Sequence, residues 1–130
     1  MSSEKYTARI AEITKKSQDL FYMSLLDGVD ITMEDLEQTA KIQTELSNGE
    51  KFYLIVDCRN ISLGHIDREV FKVGASNVKL PNKMAEAFIV NSLSIKLLLN
   101  FYLRVFKPVF PTKSFNDEAS AEKWILGFQK

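Results

Sequence analysis

The chain has 130 residues, 45% of them apolar and 26% charged. That is one domain's length with ordinary globular usage, so a disordered or low-complexity protein is excluded and a single domain over residues 1–130 is expected. Seventeen basic residues balance seventeen acidic ones. No net positive field therefore calls for nucleic acid, and one cysteine excludes both a disulfide framework and a Cys-rich zinc site.

Tyr6 to Ile13 alternates well enough for a half-exposed strand. Leu20 to Leu26 is a second strand, closed by the turn signal Asp27-Gly28, and the two are expected to pair antiparallel. Thr32-Met33-Glu34-Asp35 opens a helix: the hydroxyl caps free amides and the acids suit the positive end of the dipole. Leu36, Thr39, Ile42 and Leu46 follow at helical spacing, and Gly49 can end the helix in a left-handed turn. Phe52 to Val56 is a short, unbroken apolar run, the pattern of a strand buried on both faces of a parallel sheet.

A loop from Asp57 to Gly64 leads to a second helix with Ile66, Val70 and Val73 on one side, broken at Leu80-Pro81-Asn82. Ala87 to Val90 reads as the next buried strand. Asn91 or Ser92 then caps a third helix reaching about Phe106, ended by Pro108 and Pro111. Lys113 to Phe115 is short and extended, and Asn116-Asp117-Glu118 starts a last helix with Ala121, Trp124, Ile125 and Phe128 as its apolar stripe. The reading is an α/β fold: a mixed sheet of four to five strands carrying about four helices. A doubly wound nucleotide fold competes, but neither G-x-G-x-x-G nor G-x-x-x-x-G-K-[ST] occurs.

The third helix has Leu93, Ile95, Leu97, Leu98, Leu99, Phe101, Tyr102, Leu103, Val105 and Phe106 on more than one side. A helix apolar almost all round needs cover on several sides. Three arrangements supply it: a core helix flanked by the second and last helices, a self-association face, or the wall of an apolar cavity. The stretch Ala87–Phe106 is interrupted by Asn91, Lys96, Asn100 and Arg104. One lysine at mid-span costs about 2.5–3.5 kcal/mol, so no membrane span is expected. The first six residues lack a signal sequence's apolar region, which points to the cytoplasm.

The order of elements, with Phe52–Val56 ending in Asp57, resembles the STAS domain of bacterial anti-sigma factor antagonists, and within it the small stand-alone SpoIIAA-like branch. The resemblance is carried by Glu86–Val90 before the long apolar helix with Asn100-Phe101-Tyr102, then Lys107-Pro108, Pro111–Phe115, Asn116–Glu118 and Ala121–Ile125. It implies a small α/β module that works by binding, without chemistry of its own, as a regulatory or protein-interaction element. In partner-switching members a serine after the central strand is phosphorylated. That register falls here near Ile66-Asp67, where no serine stands, and Ser62 is the nearby hydroxyl. The resemblance also implies a cavity between helices and sheet for a non-polar ligand. The alternative to an interaction module is then a carrier or sensor of a non-polar, lipid-like small molecule beside the third helix, with Phe88, Leu98, Phe101 and Tyr102 as lining.

Other chemistry is thinly marked. Cys58 and His65, with Asp57 as orienter, stand after a central strand, where open α/β sheets place ligands. The plainer reading is a space-filling thiol, a surface histidine, and an aspartate accepting backbone amides of the loop. No H-E-x-x-H, cysteine pair or calcium-spaced acidic ladder is present, so neither metal nor cofactor is expected. Charge is unevenly spread: residues 1–50 hold ten acids against five basic residues, and residues 68–113 hold eight basic residues against two acids. That suits an acidic protein partner or self-packing into a homodimer.

Overall fold

The computed structural model describes residues 4–59, 61 and 66–129. Six strands form one sheet in the order β1-β2-β3-β4-β5-β6: β1 (Glu4–Thr7), β2 (Ala11–Ser17), β3 (Leu20–Leu25), β4 (Phe52–Asp57), β5 (Lys83–Ile89) and β6 (Thr112–Phe115). The first three strands are antiparallel neighbours, and β3 to β6 are parallel. Four helices occur among the described residues: α1 (Met33–Ser47), α2 (Arg68–Ala75), α3 (Leu93–Phe106) and α4 (Glu118–Leu126).

The sheet has more strands than expected for two reasons. The predicted strand Tyr6–Ile13 is two strands, because the alternation fails at Ile10-Ala11. These neighbours are both buried, and Ala8 N–H donates to the Ala11 carbonyl at 2.8 Å, closing a turn. Lys113–Phe115 is also a true strand, because β5 supplies a parallel partner along its length. The caps match their sequence signals. Thr32 and Asp35 form a reciprocal capping box on α1, Ser92 caps α3, and Asp117 caps α4. Asn48 (φ 51°) takes the left-handed position first at the end of α1, one residue before Gly49 (φ 80°).

Strands β3 to β6 add in one direction, so crossovers of one hand put all three connecting helices on one face. There α1, α2 and α3 cover Phe21, Leu25, Leu54 and Val56. Among the described residues the other face receives only α4, whose Ala121 and Ile125 pack on Ile55, Ala85, Ala87 and Ile89. The idea that the last helix flanks the third is therefore corrected: the sheet lies between them. Short side chains at Ala85 and Ala87, both fully buried, let α4 approach. Ala87→Leu should cost about 1–3 kcal/mol through overpacking, measured by urea unfolding. Ala119→Leu on the exposed side of α4 should leave the midpoint almost unchanged.

Candidate functional site

The helix-covered face of the sheet holds a cavity of about 130 Å³. Its walls are mostly apolar and come from β3 and β4 (Met23, Leu54, Val56), α2 (Val70, Phe71) and α3 (Leu98, Leu99). Polar groups converge on it from two elements: Thr39 and Gln43 from α1, and Lys83 and Glu86 from β5.

The β5 pair owes its position to a backbone irregularity. Residues three apart on a regular strand point to opposite faces. The register between β4 and β5 shifts at Phe52/Tyr53, so that Phe52 faces Lys83 while Tyr53 faces Ala85. Met84 is the additional residue, and it puts Lys83 and Glu86 on the same face. Lys83 Nζ donates to Glu86 Oε1 at 3.2 Å and lies 4.5 Å from the Phe110 ring centre. Lys83 is 5% and Glu86 8% exposed, a depth at which lysine and glutamate rarely occur unpaired.

Gln43 is 2% exposed. Its Nε2 donates to the Thr39 carbonyl at 3.2 Å, while its Oε1 is buried with no partner among the described residues. Exchanging the two ends of the amide would set oxygen against carbonyl oxygen, so this orientation is the one the helix permits. The helical period offered a signal for it. Gln43 falls on the inward stripe with Thr39, Ala40 and Leu46, where a polar residue is out of place unless it meets something. Lys83 and Glu86 gave no such signal, since a bulge is invisible in the residue pattern.

Of the four residues expected to line a cavity, Phe88 and Leu98 do so. Phe101 is 57% exposed and outside the lining. Tyr102 is also outside it, stacked on Phe71 with ring centres 4.4 Å apart and on Phe106. Ser62 and His65 lie outside the described residues.

At the end of β4, Asp57 and Cys58 face opposite ways. Asp57 Oδ2 accepts from Tyr22 Oη at 2.7 Å and from Arg59 Nη2 at 2.7 Å; Oδ1 accepts from Arg59 N–H and Nε. Burial pushes the Asp57 carboxyl up, but the bonds from Arg59 and Tyr22 prevail and hold it below the usual carboxylate range. The aspartate is thus the loop-organising acceptor that the sequence allows. Cys58 turns into the helix-covered core, where burial first, then the charges of Glu86 and Asp57, raise its pKa. A thiol so held is a poor nucleophile, and Asp57 points away from it.

The third helix is covered on one side only. Ile95 and Leu99 are buried, whereas Leu93, Leu97, Phe101 and Val105 form an i, i+4, i+8, i+12 stripe, each residue 46–71% exposed. Lys96, Arg104 and Lys107 are exposed beside it, and no Asp or Glu occurs between Ala87 and Phe115. No group of side chains among the described residues could hold a metal ion, and no helix among them is long and apolar enough to cross a membrane.

Comparison with known proteins bears on the fold. A crystal structure of an uncharacterized DUF3478-family protein with a SpoIIAA-like fold, from Shewanella loihica PV-4, superimposes with a TM-score of 0.58. It covers 95% of this chain and 91% of that one at 12% identity. The six-stranded mixed sheet with four helices is thus a SpoIIAA-like, STAS-type fold, as the sequence resemblance implied. No curated protein matches the sequence. The family model described as a domain of unknown function, DUF7793, matches residues 14–129, and the chain belongs to that family.

Proposed function

We propose that this chain is a non-enzymatic, cytoplasmic protein-interaction module of regulatory type, docking an acidic amphipathic segment of a partner along α3. The carrying observation is the stripe Leu93–Leu97–Phe101–Val105 beside Lys96, Arg104 and Lys107. Such spacing fits one face of a partner helix, and apolar side chains exposed in a continuous row mark interaction surfaces. A second copy pairing stripe to stripe would bring the same basic residues together with no acid between them. Charge complementarity therefore favours a foreign acidic segment over a homodimer. The buried Cys58 thiol and the fully bonded Asp57 support a role without catalysis.

A photo-crosslinking residue at Leu97, expressed in the native host, tests this. The expected result is one dominant adduct with a protein carrying an acidic amphipathic segment, weakened about tenfold by Phe101→Ala and by added salt. Adducts only with itself would make the partner a second copy. Adducts no stronger than from a probe at Glu45, exposed on α1, would refute docking on α3.

A second reading rests on the cavity. A carrier or sensor would hold a small, mostly apolar molecule against Phe88 and Leu98. A cavity of about 150 Å³ encloses benzene, so the space here suits a single ring or a short chain, smaller than a lipid tail.

A further inference from the structure

We infer that the cavity under α1, α2 and α3 selects a neutral hydroxyl-bearing ligand, a small phenol or short alcohol, seated by Gln43 and Lys83. The inference rests on the cavity reading and adds the chemistry of the ligand's polar end. Three observations converge. The space of about 130 Å³ is walled mainly by apolar side chains, so the body of the ligand is apolar and about the size of one ring. Gln43 Oε1 is a buried acceptor with no partner among the described residues, and Gln43 belongs to that lining. An unmet buried acceptor costs about 1–3 kcal/mol, and a ligand that donates a hydrogen bond recovers much of it. Lys83, on the same lining, spends one of its three N–H donors on Glu86 Oε1.

A hydroxyl answers both demands, donating to Gln43 Oε1 and accepting from Lys83. A hydrocarbon answers neither. A carboxylate has no proton to give Gln43 and brings a charge beside Glu86. A free ammonium brings a second cation to a lysine already neutralised by its own glutamate. The selectivity is therefore for the neutral donor–acceptor group, and the buried Lys83–Glu86 pair sets it.

The test compares phenol with benzene, and benzoate as the charged control, by calorimetric titration and by NMR shifts of the Leu98 and Val56 methyl groups. For the natural sequence, phenol should bind at least about fivefold more tightly than benzene, the worth of one net hydrogen bond, and benzoate should bind more weakly than either. Gln43→Leu, nearly equal in volume, should erase or reverse the phenol preference while benzene still binds. Gln43→Met serves the same purpose should the leucine variant fold poorly. Benzene and phenol binding alike, or a preference that survives both substitutions, would overturn the polar-end assignment and leave an apolar cavity site standing. No shift of the methyl groups with any of the three probes would overturn the cavity reading itself.

Discussion

Replacing Lys83 by methionine should lower stability by about 3–5 kcal/mol, because it strands the Glu86 carboxylate in a place almost closed to water. For a chain of this length that is a fall in Tm of roughly 10–20 °C, and a large part of the total stability of an ordinary domain. Methionine keeps the length of the stem and a favourable sulfur contact with the Phe110 ring, which Lys83 now faces at 4.5 Å. The loss therefore reports the unpaired charge and little else. Glu86→Leu alone should cost a similar amount by stranding the ammonium.

The double variant Lys83→Met, Glu86→Leu should recover nearly all of the loss or exceed the natural stability, since a well-packed apolar pair commonly equals or betters a buried ion pair. Urea unfolding of the four proteins closes the cycle. Losses that simply add would show that the two charges do not depend on each other and that their burial has another support. The same double variant keeps the Gln43 acceptor and loses the Lys83 donor, so its preference for phenol over benzene should be reduced but not abolished.

The sequence carries its signals unevenly, and the reasons are physical. The run Phe52–Val56 reads correctly as a central strand because burial on both faces removes alternation and leaves only apolar residues. Thr32, Ser92 and Asp117 are legible because capping is a local bargain between one side chain and amides three residues away. Strand β5 is read as starting at Ala87, four residues late. Lys83 and Glu86 look like surface residues, and only the shift beside Met84, a relation between two strands, turns both inward. The two-sided apolar character of α3 is plain in the sequence, but which side stays bare depends on the route of the chain after Phe106. That route carries α4 to the far face of the sheet, leaving Phe101 outside the site and Tyr102 stacked on Phe71. Gln43 lay in between: its place on the inward stripe of α1 was visible, its missing partner was not.

Acid should weaken the fold between about pH 4 and pH 2, and Asp35→Asn should remove much of that weakening. Asp35 is 3% exposed at the start of α1. Its Oδ1 accepts from Arg9 Nε at 2.7 Å and its Oδ2 from Arg9 Nη2, from Thr32 N–H at 2.9 Å and from Thr32 Oγ1 at 3.0 Å. The Arg9 fork is the main cause of a carboxyl pKa pulled down to about 2. Burial opposes it, and the Thr32 bonds add to it. The unfolded chain titrates near the ordinary aspartate value, about 3.9. A carboxyl whose pKa is lower when folded contributes stability that is complete above the unfolded value and vanishes as pH falls through the folded one. The displacement corresponds to about 2.5 kcal/mol at neutral pH.

Arg9 sits in the turn between β1 and β2, and its Nη2 also donates to the Asp30 carbonyl. The cluster thus ties the antiparallel edge of the sheet to the first crossover helix. Asp35→Ala removes the fork and the capping box together and should cost about 2–3 kcal/mol at pH 7. Asp35→Asn should cost less, since its amide oxygen can still accept from Thr32 N–H. The gap between Asp35→Asn and the natural protein, measured by urea unfolding, should be flat from pH 7 to pH 5 and close toward zero as pH approaches 2. A gap that persists undiminished at pH 2 would mean that shape and not charge holds the corner. A gap near zero already at pH 7 would mean that Asp35 titrates in the folded chain like any exposed aspartate, and that the Arg9 fork is not formed in solution.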